Sequence, residues 1–205
     1  MTKLAWNKNK SVGQKKPFTP KQLEILREIL HNKKKWMELS LLNVGIDTML
    51  RYSDVSSLIV QDVLDCYGKI KDEINIKQQK TKSSHVVFLS EKSKKSLQKW
   101  LEISKKFENN FIFSGNTKKK EQRKEKLSRT SYAKIIKQWA EYLHLDPEDY
   151  SSHSLRRTGS TFMYKQGVSI EIIRRLLGQK SIDSTRSYLG IENQEAFEIR
   201  KKFLI

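Results

Sequence analysis

Apolar residues recur at helical spacing over most of this chain and at strand-like spacing over one short stretch. Leu23, Leu26, Ile29 and Leu30 follow Thr19-Pro20, a good capping residue with proline at the first helical position, and predict a first helix. A second helix, roughly 34–50, carries Trp36, Leu39, Leu42 and Val44 towards Thr48-Met49-Leu50-Arg51. After Ser53-Asp54 a short helical turn is expected from Val55 to Ile59. The pattern then changes. Ile70, Ile74 and Ile76, then Val86, Val87 and Leu89, flank the polar string Gln78-Gln79-Lys80-Thr81-Lys82-Ser83-Ser84, which predicts a small antiparallel sheet with a polar hairpin tip. A helix through Leu97, Trp100 and Leu101 follows, then the apolar Phe111-Ile112-Phe113. From about residue 131, Ile135, Ile136, Trp139 and Leu143 share one face. A helix starting near His153 should end at Gly167, and Ser169 should cap Ile170–Leu177 with Gly178 closing it. Asp183 or Ser184 should cap a last short helix holding Tyr188. The expected class is mainly α with a small antiparallel β-sheet, in one domain without repeats.

Composition narrows the partners more than the fold. The chain has 205 residues, 37% of them apolar, and 41 Lys+Arg against 23 Asp+Glu give a net charge of +18. Such a charge is the footprint of a polyanion ligand, nucleic acid first. No run approaches the ~18 apolar residues of a membrane span, and no signal-peptide pattern opens the chain, so a soluble intracellular protein is expected. Cys66, the single cysteine, cannot form an internal disulfide and is read as structural; no Cys/His cluster has metal-ligand spacing. Residues 1–16 hold five lysines and no acid and read as a flexible basic arm before a domain over 17–205. Residues 114–130, with seven Lys/Arg and two Glu, read as a solvated charged loop. His31, His85 and His144 have no partners at metal or triad spacing.

The chemistry lies in an ordered set of segments. Thr48-Met49-Leu50-Arg51-Tyr52-Ser53-Asp54 comes first, and Gln79-Lys80-Thr81-Lys82 precedes a β run. His153-Ser154-Leu155-Arg156-Arg157-Thr158 is third, and Leu176-Leu177-Gly178-Gln179-Lys180-Ser181 is last, with Tyr188 nine residues beyond Gln179. Direct attack on a phosphodiester loads negative charge onto the non-bridging oxygens. Two arginine forks such as Arg51 and Arg156 meet that charge better than point charges do. A phenol oxygen is a competent nucleophile once its proton leaves and the phosphate is held in line.

From about Phe18 to Tyr188 this arrangement resembles the catalytic domain of the tyrosine recombinases, the phage integrase family. The resemblance implies the integrase catalytic-domain fold and a site-specific recombinase that cleaves and rejoins DNA through a covalent 3′-phosphotyrosyl intermediate. It implies Tyr188 as nucleophile, with Arg51 and Arg156 on the scissile phosphate. His153 would hydrogen-bond that phosphate and assist proton transfer. Lys80 on the hairpin tip would be the general acid for the leaving 5′-oxygen, with Lys82 the alternative in the other register. Asp54 matches an acidic position of the family and is either a second-shell orienting group or simply an N-cap for the Val55 turn.

Gln179 stands where relatives carry His or Trp; it donates a hydrogen bond but carries no charge. Only Met1–Lys16 precedes the catalytic segment in this sequence, where most of the family carry an N-terminal clamp domain; it is similar either to the short recombinases that invert fimbrial promoters or, equally, to a truncated longer integrase. No cofactor and no metal are implied, nor ATP, because the phosphotyrosine keeps the bond energy. The implied partner is a double-stranded DNA recombination site bound by a homotetramer, without a membrane. The implied setting is cytoplasmic, on a bacterial, phage or plasmid nucleoid. Ile191–Ile205, with Phe197, Phe203 and Leu204 at amphipathic spacing, either docks on a neighbouring protomer or folds back on its own domain. A non-catalytic DNA-binding relative and a type IB topoisomerase are the alternative readings.

Overall fold

The computed structural model describes residues 14–80, 83–114, 125–190 and 200–201. The first helix, α1 (Pro20–Asn32), begins as its sequence dictates. Thr19 accepts the Gln22 backbone N–H while the Gln22 side chain accepts from the Thr19 N–H at 2.8 Å, a reciprocal capping box. Leu23, Leu26 and Leu30 are its buried stripe. The second helix, α2 (Trp36–Thr48), is buried on most of its surface and runs through the middle of the core, packing on the helices at Glu91–Ser104 and Ser154–Lys165. It ends at Met49, which takes a left-handed conformation with φ 49°.

Two single-turn helices follow, α3 (Tyr52–Val55) and α4 (Val60–Val63). The helical turn expected over Val55–Ile59 therefore starts earlier, because the extended Arg51 is the N-cap and Asp54 already lies inside the turn. The expected hairpin is present: β1 (Glu73–Lys77) pairs antiparallel with β2 (Ser84–Phe88), Ile74 opposite Val87 and Ile76 opposite His85. Ile74, Ile76 and Val87 turn into the core, and their neighbours face out, as a half-buried sheet requires.

Helix α5 (Glu91–Ser104) is capped by Ser90, and α6 (Arg129–Tyr142) by Ser128. Together α1, α2, α5, α6 and the hairpin enclose one large core that includes Leu41, Leu42, Leu97, Ile112, Phe113, Ile136 and Trp139. A 3-10 turn, Pro147–Asp149, leads to α7 (Ser154–Lys165), α8 (Ile170–Leu176) and α9 (Ile182–Leu189). Helices α8 and α9 close on a second, smaller cluster of Met49, Ile173, Leu177 and Leu189, and α7 lies between the two, with Leu155 in the large core and Met163 against the small one. Ser181 caps α9, bonding the N–H groups of Asp183 and Ser184, so the two residues expected as caps are instead the first to be capped. Cys66 is exposed in the turn after α4, which overturns its reading as a structural residue.

Gly159 sets the approach of α7 to α2. A Cβ there would lie 2.5 Å from the Ile46 carbonyl oxygen and 2.7 Å from Met49 Cγ. Only a residue without a side chain permits this crossing, and the crossing brings the end of α2 beside the start of α7. No described helix is long and apolar enough to cross a membrane.

Candidate active site

Helical geometry assembles one wall of the site. His153 is the N-cap of α7, and Arg156 and Arg157 follow three and four positions later, so all three share a face. Arg156 is only 4% exposed. Its Nη1 donates to the Met49 carbonyl at 2.6 Å and its Nη2 donates to the Leu177 carbonyl. The guanidinium thus bridges the end of α2 to the end of α8. Burial pushes its pKa down to about 10, with Tyr188 and Asp54 opposing that shift and Arg51 adding to it.

Tyr188 comes to this wall from α9. Its hydroxyl donates to the His153 backbone carbonyl at 3.3 Å, and the two rings stand 6.4 Å apart at 73°. The Arg156 and Arg157 guanidinium carbons each lie 5.9 Å from the Tyr188 ring centre. Burial raises the phenol pKa to about 12, and the charges of Arg156, Arg157 and Arg51 pull it back. The His153 pKa is lowered, first by burial and then by Arg156, Arg129, Arg51 and Arg157, so at neutral pH the imidazole is neutral.

Arg51 meets the hairpin from whose tip Lys80 projects. Arg51 Nη1 donates to Gln78 Oε1 at 2.9 Å, where the hairpin loop begins. The next residue is pinned as well: the Gln79 N–H donates to Asp54 Oδ1 at 2.9 Å, and its side-chain amide donates to Ser57 Oγ at 2.7 Å. Asp54, 2% exposed, thus ties the hairpin loop to α3, and the N-cap position that was its other reading is held by Arg51. Lys80, exposed, projects from the tip two residues past Gln78, and no described contact joins it to the arginines. Thr81 and the alternative Lys82 lie outside the described residues.

Gln179 follows the end of α8, two residues past the Leu177 carbonyl that Arg156 holds. Gly178, at φ +58°, ends that helix in the left-handed conformation, and a Cβ on it would sit 3.0 Å from Gln78 Nε2. The Gln179 Oε1 accepts from the Thr185 hydroxyl at 2.6 Å, and its backbone carbonyl accepts from Arg174 at 2.8 Å. With its oxygen occupied, the amide has its NH2 group left to donate, and no acceptor for it is found among the described residues. His85, read as an ordinary residue, bonds through Nε2 to the Leu176 carbonyl at 2.7 Å and docks the hairpin on the same helix end.

Sequence reasoning missed Gln78 and Arg157. The first is 1% exposed and contacts both Arg51 and the Gly178 turn. The second had a usable signal in its four-residue spacing from His153. The Lys118–Lys120 run and Ile191–Ile199 lie outside the described residues, as do Phe203 and Leu204.

The chain matches the model of the phage integrase family over residues 16–195. This protein belongs to that family. It is similar to the probable integrase/recombinase YoeC of Bacillus subtilis, 26% identical over 182 residues that cover 89% of this chain and 92% of that one. A tyrosine recombinase of Pseudothermotoga lettingae is 24% identical over 186 residues, 90% of this chain but 59% of its own. Among solved structures, the XerA recombinase superposes with a TM-score of 0.72 at 19% identity, covering 93% of this chain and 65% of that one. The XerH recombinase bound to palindromic difH substrate in a post-cleavage complex gives 0.70 at 18% identity, covering 92% and 53%. The mainly helical fold with its two-stranded sheet is thus that of the tyrosine recombinase catalytic domain.

Proposed function

We propose that this protein is a site-specific DNA recombinase that cuts and rejoins strands through Tyr188. The observation that carries the reading is the meeting of Tyr188, from α9, with His153 and the buried Arg156, from α7. Family membership supports strand transfer on DNA, and the +18 charge suits a phosphate backbone.

The steps follow from the side chains. A scissile phosphate binds between Arg51 and Arg156, whose charges offset the negative charge that grows on the non-bridging oxygens. Preorganised donors of this kind each contribute about 3–4 kcal/mol in well-studied enzymes. The neutral His153 and the Gln179 amide add hydrogen bonds to the same oxygens. The Tyr188 oxygen passes its proton to the neutral His153 imidazole as it attacks phosphorus; the bond to the 5′-oxygen breaks, and Lys80 donates the proton that oxygen needs. The 3′-phosphotyrosyl ester retains the bond energy, so a 5′-hydroxyl can reverse the step without ATP. Arginines and lysine supply the positive charge that a metal ion gives other phosphoryl transferases. Exchange between two duplexes needs four such cleavages, hence a homotetramer on DNA.

The test begins with a pool of nicked duplexes randomised at the centre, from which covalently trapped DNA is recovered on denaturing gels and sequenced. Wild type should yield an adduct that maps to Tyr188 by mass spectrometry, and Tyr188→Phe none at undiminished DNA affinity. An adduct that survives in Tyr188→Phe, or no adduct from any duplex, defeats the proposal.

A further inference from the structure

The segment entering the domain is tied to the helix that carries Tyr188. Phe18 stacks on Tyr150, ring centres 4.6 Å apart, and its N–H donates to the Thr158 hydroxyl at 2.9 Å. Lys16 bonds Asp149 twice, through its N–H to the carbonyl at 2.8 Å and through its ammonium to the carboxylate at 2.6 Å. The Lys15 ammonium donates to the Glu148 carbonyl at 2.5 Å. Gln14 then reaches α9 itself, its amide donating to the Ser187 carbonyl next to Tyr188.

Arg157 joins this strap to the phenol. It is 7% exposed, and its Nη1 donates to the Lys15 carbonyl. On the other side its guanidinium lies 5.9 Å from the Tyr188 ring centre. A Cβ at Gly190, where α9 ends, would sit 3.1 Å from Arg157 Nη2 and 3.1 Å from Gln14 Oε1, so strap, arginine and helix end meet with no room between them. Helix α9 buries only Thr185 and Leu189 of its own. Much of what fixes its last turn therefore comes from Gln14 and Arg157.

We propose that Arg157 is a positioning residue which, through the Gln14–Lys16 strap, holds the last turn of α9 and so sets where the Tyr188 oxygen stands. The consequence for the reaction rests on Tyr188 being the nucleophile; the mechanical coupling does not. Displacing the strap then changes the chemical step while leaving DNA contacts intact.

Two readouts separate these layers. In hydrogen exchange on the full chain alone, Gln14→Ala and Arg157→Gln should speed exchange of the 182–190 peptides about tenfold, the factor for one lost hydrogen bond of roughly 1.4 kcal/mol. Peptides of α1 and α2 should not change. In single-turnover cleavage of a trapped nicked duplex at saturating DNA, both variants should be slower by a similar factor at unchanged affinity. Because both act through one connection, the double variant should be no slower than Arg157→Gln. Arg157→Lys keeps the charge but not the fork, and should restore little. Unchanged exchange in 182–190 overturns the coupling, whatever the activity. Faster exchange with undiminished cleavage overturns the positioning role. A matching fall in DNA affinity makes Arg157 a phosphate contact instead. Loss of the Tyr188 adduct assignment would fail only the cleavage arm, since the exchange arm involves no DNA.

Discussion

Arg51 and Arg156 adjoin Leu50 and Leu155 of the large core, whereas Gln179 follows α8 and Tyr188 lies on α9, whose cluster is Met49, Ile173, Leu177 and Leu189. The first region has an apolar interior built from five elements and flanked by capped helices. The second is a thin layer held by short helices, by Arg156 bridging two carbonyls and by the Gln14 strap. The contrast separates two mechanical duties. On the proposed mechanism, the part that would clamp an anion is the more firmly built; the part that would deliver the nucleophile is expected to open at lower free energy, since local opening follows the amount of buried apolar contact.

The strongest way to break this comparison is to damage the thick side. Trp139→Ala, at a fully buried position, should cost about 3–5 kcal/mol and lower the urea midpoint of every probe together. Gly159→Ala should cost about 1–3 kcal/mol, because the new methyl meets the Ile46 carbonyl rather than a pliable side chain. If Gly159→Ala melts like wild type, the α2–α7 crossing is looser than described.

Next in size, Gln179→Ala should slow single-turnover cleavage about 10²-fold, as for a lost transition-state donor, with stability nearly unchanged. Thr185→Val, which frees the Gln179 amide without removing it, should give a smaller loss. Equal rates for Gln179→Ala and wild type would place that side chain outside the chemistry. On the thin side, Ile173→Ala should shift the global urea midpoint less than Trp139→Ala yet sharply raise hydrogen exchange across 170–190. Equal midpoint shifts would mean that both regions unfold as one unit.

The smallest effects are in pH. Burial raises the pKa of both Tyr132 and Tyr188 in the fold, so the folded chain holds these protons more tightly than the unfolded one. Stability is then full below pH ~10, the unfolded phenol value, and falls as pH rises through the folded values; Tyr132→Phe should flatten that alkaline loss. His153 acts with the opposite sign. Its lowered pKa makes stability full above ~6.5 and lets it decline as pH falls below, a decline His153→Gln should reduce.

How far all this was legible differs between the same two regions. Local rules dictate the Thr19 capping box, the β1–β2 hairpin and the Ser169 cap, and each appears where the sequence puts it. The meeting of Arg156, His153 and Tyr188 was reached through a family pattern that compresses their distant positions into order and spacing. What stayed hidden is long-range and made by backbone groups. Gln14 meets a carbonyl 173 residues away, and Arg157 spends its fork on the Lys15 carbonyl, neither of which leaves a periodicity to read. The α9 cap was misread because Ser181, Asp183 and Ser184 are all good capping residues, and only tertiary packing chooses among them.

The two carbonyls beneath Arg156 have a consequence for solvent reorganisation. An arginine in water must shed and reorient its hydration as an anion approaches, and that reorientation adds to a barrier. Here the Met49 and Leu177 dipoles already occupy two of the five guanidinium N–H groups, leaving three with a fixed direction. The cation is held in place, with less to rearrange around it than around an arginine in water. Whatever oxyanion forms in front of it meets a field that was set when the chain folded.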